Sequence, residues 1–394
     1  MATGTLTTYN LNVGIKLDVE DLIYIISPTD VPLQGSMGSD GRSALSSTTI
    51  FEKKYSWLDE LLLLPNGVTG ALLTTGVTTS TLTLAVATTF TTTGAFSGNL
   101  NFQTGDVLVI GPTVGTTFVT AENVLVTAIG ANATDVTVQR AFQGTTQVQW
   151  PAGTPVKGVG MALAEGSDAP AARALDRVQR DNYSQIFGPT TIQVSGTENA
   201  IQKYGLTGTE FDKQIANRVK ETHVAIEQML TYGTAWEGGS TTNNRTSGGM
   251  AYYITSNIDN VTTTLTDSTL IAQLKACYDA GGSPDRMLVG SQQKQRLSQI
   301  NSGNIRYAQD TNIRGQKIDY YDSDFGRQML MMSRWVRPSD LFLFSRDQAT
   351  IATLRPLTFE MLAKTGDSTK GMVIGEKGFY FRRQSWSAMF NNLV

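Results

Sequence analysis

One cysteine, Cys277, and one histidine, His223, are all that 394 residues contain of either type. The lone cysteine excludes an intrachain disulfide framework and a thiolate zinc site, and it fits a chain that folds in a reducing cytoplasm. The lone histidine leaves nucleophilic catalysis of the Ser/His/Asp or Cys/His kind a single candidate base. Charge is sparse as well: 16% of residues are charged, with Lys+Arg 31 against Asp+Glu 34 and a net charge of -3. No overall basic field exists to draw nucleic acid by its phosphates. The aliphatic run at 61–64 is far short of the roughly 20 residues that span a bilayer. The opening MATGTLTTYNLNVGIKLDVEDL has no basic segment followed by an apolar one, so neither general secretion nor membrane insertion is expected.

What is present is a chain of 42.6 kDa with 40% hydrophobic residues, enough for two or three cored domains. The surface is rich in Thr, Ser, Gly and Asn, which suggests extended, β-rich structure. Residues 1–56 carry loop signals such as SPTDVP (27–32) and GSMGSDGRS (35–43) without sustained periodicity, and read as an arm held by something else, a neighbouring subunit being one candidate. From about 66 to 160 the composition shifts to Thr, Val and Gly. Short alternating runs, TLTLAVA (81–87), DVLVIG (106–111), NVLVTAI (123–129) and DVTVQRAF (135–142), predict a small β-barrel or β-sandwich. It is bracketed by WLDELLLLP (57–65) and MALAEGSDAPAARALDRVQRDNYSQIF (161–187), so it reads as an insertion at the tip of a two-way excursion, the host resuming near Gly188.

The next stretch has helical period. Phe211, Ile215, Val219, Thr222, Ile226, Met229 and Leu230 recur at spacings of one helix face. Thr209 followed by Asp212 resembles a capping box, and Gly233 is the expected stop. Beyond the Gly-rich GGSTTNNRTSGG (238–249), a mixed α/β region follows: a helix from about Asp267 to Gly281-Gly282 with Cys277 on its buried stripe, a strand RMLVG (286–290), a helix SQQKQRLSQI (291–300), two strands around a turn at 324–326, and strand-like alternation at 372–390. The whole is of the α+β class.

Chemistry is hard to find in this pattern. His223 lies at the margin of the apolar stripe with Glu227 four residues on, an exposed or half-buried pair by expectation. Asp319, Asp322 and Asp324 are close enough for a hard cation but lack the ordered oxygen ligands and closing glutamate of a calcium loop, so an Asp-capped turn is expected. No GxxxxGK[ST] is present, and GLTGTE (205–210) is a helix start. Arg173, Arg177 and Arg180, interleaved with Asp176 and Asp181, fit contact with a neighbouring subunit better than contact with DNA, beside the plain reading of a solvated face. Phe379, Tyr380, Phe381, Trp386 and Phe390 read as core. No cofactor or metal is expected.

Four long strings, VSGTENAIQKYGLTGTEFDKQIANRVKETHVAIEQMLTYG (194–233), DAGGSPDRMLVGSQQKQRLSQI (279–300), YYDSDFGRQMLMMSRWV (320–336) and LRPLTFEMLAKTGDSTKGMVIGEKGFYFRRQSWSAMF (354–390), follow one another in the order arm, excursion, spine helix, α/β region and closing strands. In order and texture the chain resembles tailed-bacteriophage major capsid proteins with the Hong Kong 97-type fold, in particular the subfamily of SU-ten-like major head proteins. ENVLVTAIGANATDVTVQRAFQGT (122–145) resembles the small β modules of phage virion proteins. The resemblance implies an N-terminal arm (1–56), an extended loop (57–187) carrying the inserted β domain (about 66–160), a peripheral domain with the spine helix (188–236), an axial domain (237–370) and a return to the peripheral domain (371–394). It implies a structural protein, not an enzyme, that assembles as hexamers and pentamers into an icosahedral head around double-stranded DNA. Expected partners are further copies, a portal, and a scaffold or decoration protein, with packaged DNA touched non-specifically and no membrane. Phe211, Ile215, Val219, Ile226, Met229 and Leu230 then pack the spine helix. Neither lysine–asparagine crosslinking nor a fused scaffold is implied by any matching residue. Three other readings stand beside this one: an encapsulin-like nanocompartment shell, a tail or baseplate component, and a carbohydrate hydrolase using Glu360 and Asp367.

Overall fold

Side chains of alternating character build most of the described positions before residue 196 into strands, and the period changes to that of a helix after Thr209. The computed structural model describes residues 29–35, 45–60, 66–73, 79–83, 102–111, 121–130, 134–170, 177–201, 203, 208–238, 244–260, 264–300 and 320–394. Two units are distinguished, one formed by 1–55 with 182–394 and the other by 56–181.

In chain order β1 (Ser46–Thr49) precedes β2 (Lys54–Glu60), which leads into the 56–181 unit. There β3 (Asn66–Val68), β4 (Thr79–Thr83), β5 (Asp106–Ile110), β6 (Glu122–Ile129), β7 (Asp135–Gln139) and β8 (Pro155–Met161) form one sheet in the order β3-β8-β5-β6-β7-β4. Every pairing is antiparallel. Leu108 and Ile110 of β5, Val124 and Val126 of β6 and Val136 and Val138 of β7 alternate inward and meet Leu82, Phe102 and Trp150 in a single core. The chain leaves on β9 (Arg177–Tyr183), which pairs with β2 as a two-stranded ribbon.

The other unit holds two sheets. β10 (Gln185–Ser195) is followed by α1 (Gly196–Ala200), α2 (Glu210–Tyr232) and α3 (Met250–Tyr253). After β11 (Ile258–Asp259) come α4 (Asp267–Asp279), β12 (Arg286–Val289), α5 (Ser291–Gln299), β13 (Tyr320–Ser323), β14 (Gly326–Met332) and β15 (Leu341–Phe344). The chain closes with β16 (Ala349–Met361), β17 (Ser368–Phe381) and β18 (Ala388–Phe390). The first sheet has the order β1-β16-β17-β10, and the second β11-β18-β15-β12-β14-β13. The second is covered by Leu270, Leu274 and Cys277 of α4 and Leu297 of α5, which pack on Met287, Val289, Leu341, Leu343 and Phe390.

In the first sheet the ladder slips where the sequence demands it. Pro356 in β16 has no N–H to donate, and the β16–β17 register shifts between Arg355 and Thr358. Gly188 in β10, at φ +83°, sits where a Cβ would lie 2.2 Å from the Val373 carbonyl oxygen, so only glycine lets β10 run past β17 there. The strand continues through Gly188 to Ser195 with a shift between Phe187 and Thr190.

Candidate functional site

The spine helix α2 and what is fastened to it form the most elaborate constellation of side chains in the 1–55 and 182–394 unit. Its start is a capping box: the Thr209 hydroxyl accepts from the Asp212 N–H (3.2 Å), and the Asp212 carboxylate accepts from the Thr209 N–H (3.4 Å). Twenty-three residues follow, about 35 Å at 1.5 Å per residue. The end is set at Gly233, where a Cβ would meet the Ser247 carbonyl oxygen at 2.3 Å and that of Met229 at 2.7 Å. Phe211 joins Ile192, Val194 and Val373 in one apolar cluster, with Ile215 and Val219 packed against it. Ile226, Met229 and Leu230 are buried further along.

Beside these, at the margin of the same stripe, the helix holds the segment at 29–35. Val31 and Leu33 are buried, and the Leu33 N–H donates to Glu227 Oε1 (2.9 Å). Gln34 reaches across: its Nε2 donates to the His223 carbonyl oxygen (2.7 Å) and to Glu227 Oε2 (3.1 Å). Its Oε1 can only accept, so the His223 ring donates to it from Nδ1 (2.8 Å). A second fastening lies one turn of chain earlier, where the Trp335 indole N–H donates to the Asp30 carbonyl oxygen (2.8 Å) and Arg334 pairs with the Asp30 carboxylate (3.0 Å). Glu227 is 0% exposed. Burial pushes its carboxyl up to about 7, against the pull of the Leu33 and Gln34 bonds. Burial, with the Lys377 ammonium nearby, holds the half-buried His223 below its ordinary value. Of the pair expected to be exposed or half-buried, His223 is half-buried, whereas Glu227 is a buried acceptor because the segment at 29–35 itself removes the water.

A second knot ties the return strand. Asn182, fully buried, donates from Nδ2 to the carbonyl oxygens of Phe379 (2.6 Å) and Gly248 (3.2 Å) and accepts the Gly248 N–H (2.8 Å). The Tyr55 hydroxyl accepts the Phe379 N–H (2.6 Å), an approach only Gly378 permits, since a Cβ there would lie 2.1 Å from that oxygen. Burial raises the Tyr55 hydroxyl well above the usual phenol range. Beside them Glu376 accepts from Ser184 (2.7 Å), Arg245 (2.8 Å) and Arg355 (3.2 Å). Burial alone would raise its carboxyl, but these donors outweigh it and hold it below the ordinary range.

The remaining residues singled out from the sequence fall elsewhere. Arg177 pairs with Glu60 (2.7 Å) at an exposed site and Arg180 with Asp59 (3.1 Å) at a buried one, both within the β2–β9 ribbon; Arg173 lies outside the described residues. Cys277 is buried against the Asn257 amide, and burial pushes its thiol up to about 12, which leaves no thiolate at neutral pH. Asp322 is engaged by Arg327 through two bonds (2.7 and 3.1 Å), Asp324 is exposed in the turn, and Asp319 lies outside the described residues. Glu360 is exposed on β16 and Asp367 exposed before β17, its main-chain oxygen accepting the Gly196 N–H (3.2 Å). Phe379, Phe381 and Phe390 are fully buried.

In the 56–181 unit the chief polar feature is Glu122, 0% exposed. It accepts the Arg140 guanidinium at both oxygens, the N–H groups of Ala141 and Val148 (both 3.2 Å) and the Trp150 indole (3.0 Å). Burial would raise its carboxyl, but Arg140 and the main-chain donors outweigh this and hold it low. It is a structural charge that fixes β6, β7 and the 148–150 segment together.

These constellations fasten segment to segment and sheet to helix, and none aligns a nucleophile with a base. Comparison with known proteins gives them a context. Among solved structures the fold is similar to that of a protein of Microbacterium phage Oxtober96 (TM-score 0.48, 10% identity, covering 98% of this chain and 99% of the other). It is similar as well to the capsid of Myoviridae phage XM1 (TM-score 0.48, 8% identity, covering 99% and 100%). The holo-SrpI encapsulin complex of Synechococcus elongatus matches a smaller part (TM-score 0.42, 11% identity, covering 56% and 78%). No curated protein sequence matches. The profile of the family described as SU10 major capsid protein, by contrast, matches residues 1–394. The chain thus belongs to the SU10 major capsid protein family and is a structural protein of the phage shell.

Proposed function

We propose that the chain assembles as hexamers and pentamers into a closed head around double-stranded DNA, in the cytoplasm of its bacterial host, and that it catalyses no reaction. The full-length family match is the observation that carries this reading. The spine helix supports it: its buried carboxylate and amide-bridged imidazole serve to seat the arm, a mechanical use of groups that an enzyme would leave open to substrate. In this reading residues 1–56 are the arm and 57–187 the extended loop with the β module at about 66–160. Residues 188–236 are then the peripheral domain, 237–370 the axial domain and 371–394 the return. The Arg177–Glu60 and Arg180–Asp59 pairs stiffen the base of that loop, and Arg173, Arg177 and Arg180 border a neighbouring copy. The Thr-rich module projects outward, where a decoration protein could bind it. A portal and a separate scaffold complete the set of partners, and DNA is met non-specifically on the inside.

Closed shells hold each copy by many moderate interfaces, so no single one must be strong. Electron microscopy with mass determination on particles formed by this chain tests the reading. Icosahedral shells with hundreds of copies are expected. Small oligomers or rings under every assembly condition would overturn it, and shells holding a folded protein cargo instead of DNA would move it to a nanocompartment.

A further inference from the structure

Residues 31–35 form a turn complete in itself. The Val31 carbonyl oxygen accepts from the N–H of Gln34 (3.2 Å) and of Gly35 (3.1 Å), Pro32 fixes the backbone at the second position, and Gly35 closes the turn at φ +65°. This turn sits on α2 as a plug, with Val31 2% and Leu33 0% exposed. Its polar contacts with the helix converge on two titratable residues one helical turn apart. Among the described residues every donor to the Glu227 carboxylate belongs to the plug, namely the N–H groups of Leu33 and Gln34 and the Gln34 side-chain amide, and no lysine or arginine pairs with it. His223 gives its ring N–H to Gln34 Oε1 and its carbonyl oxygen to Gln34 Nε2. One main-chain bond, from the Leu45 N–H to the Leu33 carbonyl oxygen (2.9 Å), joins the plug to its own chain ahead of β1. The fastening beside it is different in kind: the Asp30 carbonyl oxygen is held by the Trp335 indole, a bond without a titratable group, and the Asp30 carboxylate by Arg334.

We infer that residues 31–35 are a proton-gated latch: the turn lifts off α2 when Glu227 ionises, pivoting on Asp30, which stays fastened to residues 334–335. The donor set gives the direction. A carboxylate removed from water needs a cation or a full set of donors, and this one has only donors that leave with the turn; lifting the turn returns it to water. Burial accordingly raises the seated carboxyl from 4.5 to about 7. The seated form holds the proton more tightly than the lifted form, so seating is strongest below about 4.5 and falls, by on the order of a hundredfold, as pH rises to about 7. His223, held below its ordinary value by burial and by Lys377, works against this, its contribution fading as pH falls below about 6.5. The charged groups that face the seat are Asp30 of the segment itself, which pushes Glu227 further up, Lys377 of β17, itself held low by burial, and Arg334 beside Asp30. The subunit thus has two states near neutrality, one in which α2 carries the turn and one in which its His223 and Glu227 meet water. The cap at Thr209 and the packing of Phe211 depend on neither.

Exchange of the Leu33 amide and of the Trp335 indole N–H, followed by NMR on the full chain labelled with nitrogen-15 at leucine and tryptophan, tests it. The Leu33 protection of the native chain divided by that of Glu227→Gln, a ratio that removes the His223 limb, should fall at least about tenfold from about pH 5.5 to about 8, while the Trp335 indole changes less than about twofold. A constant ratio overturns the gate, and indole exchange that rises in step with Leu33 overturns the pivot. If Glu227→Gln does not fold, His223→Asn, whose side-chain amide stands in for the ring N–H, gives the same reading: Leu33 protection falls at least about tenfold over that range, and a flat profile overturns the proposal.

Discussion

Glu122 and Glu227 are both removed from water, and they are treated in opposite ways. Glu122 meets a guanidinium, two main-chain N–H groups and an indole, all within one antiparallel sheet and the segment beside it, and its carboxyl is held low. Glu227 meets the main chain of Leu33 and Gln34 and the Gln34 side-chain amide, with Asp30 rather than a cation in its field, and its carboxyl is pushed up to about 7. The first is a permanent charge that locks a module together. The second is an acceptor close to changing its protonation state, and what it holds is a strap of a few residues. A buried charge with its own cation marks structure meant to stay shut, whereas one without it marks a seam.

The comparison is broken most directly at Arg140. Arg140→Met leaves Glu122 buried without its cation and should cost about 3–5 kcal/mol, seen as a loss of the 56–181 unit's cooperative melting transition in the full chain. Glu122→Gln with Arg140→Met together should recover much of that loss. If the single and double variants melt alike, the pair is not the lock.

A smaller effect is expected at Glu227. Glu227→Ala leaves the Leu33 N–H and the Gln34 amide without their acceptor, at about 1–3 kcal/mol, read as faster hydrogen exchange at Leu33 with the core strands unchanged. The pH sign follows from the raised carboxyl. The seated arm binds the proton more tightly than the free arm, so this group's contribution is fully present below about 4.5 and is lost as pH rises towards about 7. The depressed His223 works the other way, its contribution fading as pH falls below about 6.5. Asp30 and Lys377 face the two groups, and Arg334 pairs with Asp30. Protection of Leu33 should therefore weaken as pH rises from about 4.5 to about 7 in the native chain, and Glu227→Gln should flatten that limb. Glu122, held low, predicts the reverse limb for the module: stability present above about 4.5 and lost in acid.

The smallest expected change concerns the helix itself. Thr209→Ala removes the capping acceptor of the Asp212 N–H and should cost about 1 kcal/mol, measured as a shift in the denaturation midpoint with no effect on Leu33 exchange. Movement of both together would mean that the arm and the helix start are one cooperative element.

What could be read in the sequence was whatever is local. The spacing from Phe211 to Leu230 with Thr209, Asp212 and Gly233 at its ends gives α2, and alternation at 106–110, 123–129 and 135–139 gives the strands of the module, because each pattern is complete within a few residues. β10 and β16 were hidden. Gly188-Pro189 and Pro356 interrupt them, and the ladder absorbs the interruption by slipping register, a solution visible only once β17 is in place. The arm's seat was hidden for another reason: Leu33 and Glu227 are 194 residues apart, and a glutamate on a helix surface looks solvated until something covers it. Asn182, tying Gly248 to Phe379, is illegible by the same logic.

The ribbon of β2 and β9 has a consequence for loop closure. Outgoing and returning strands lie side by side, pinned by Arg180 to Asp59 and Arg177 to Glu60. The two ends of the stretch between them are therefore already neighbours, and a longer or shorter stretch would change the loop entropy only logarithmically. The ribbon is thus a doorway whose width does not depend on how much chain passes through it.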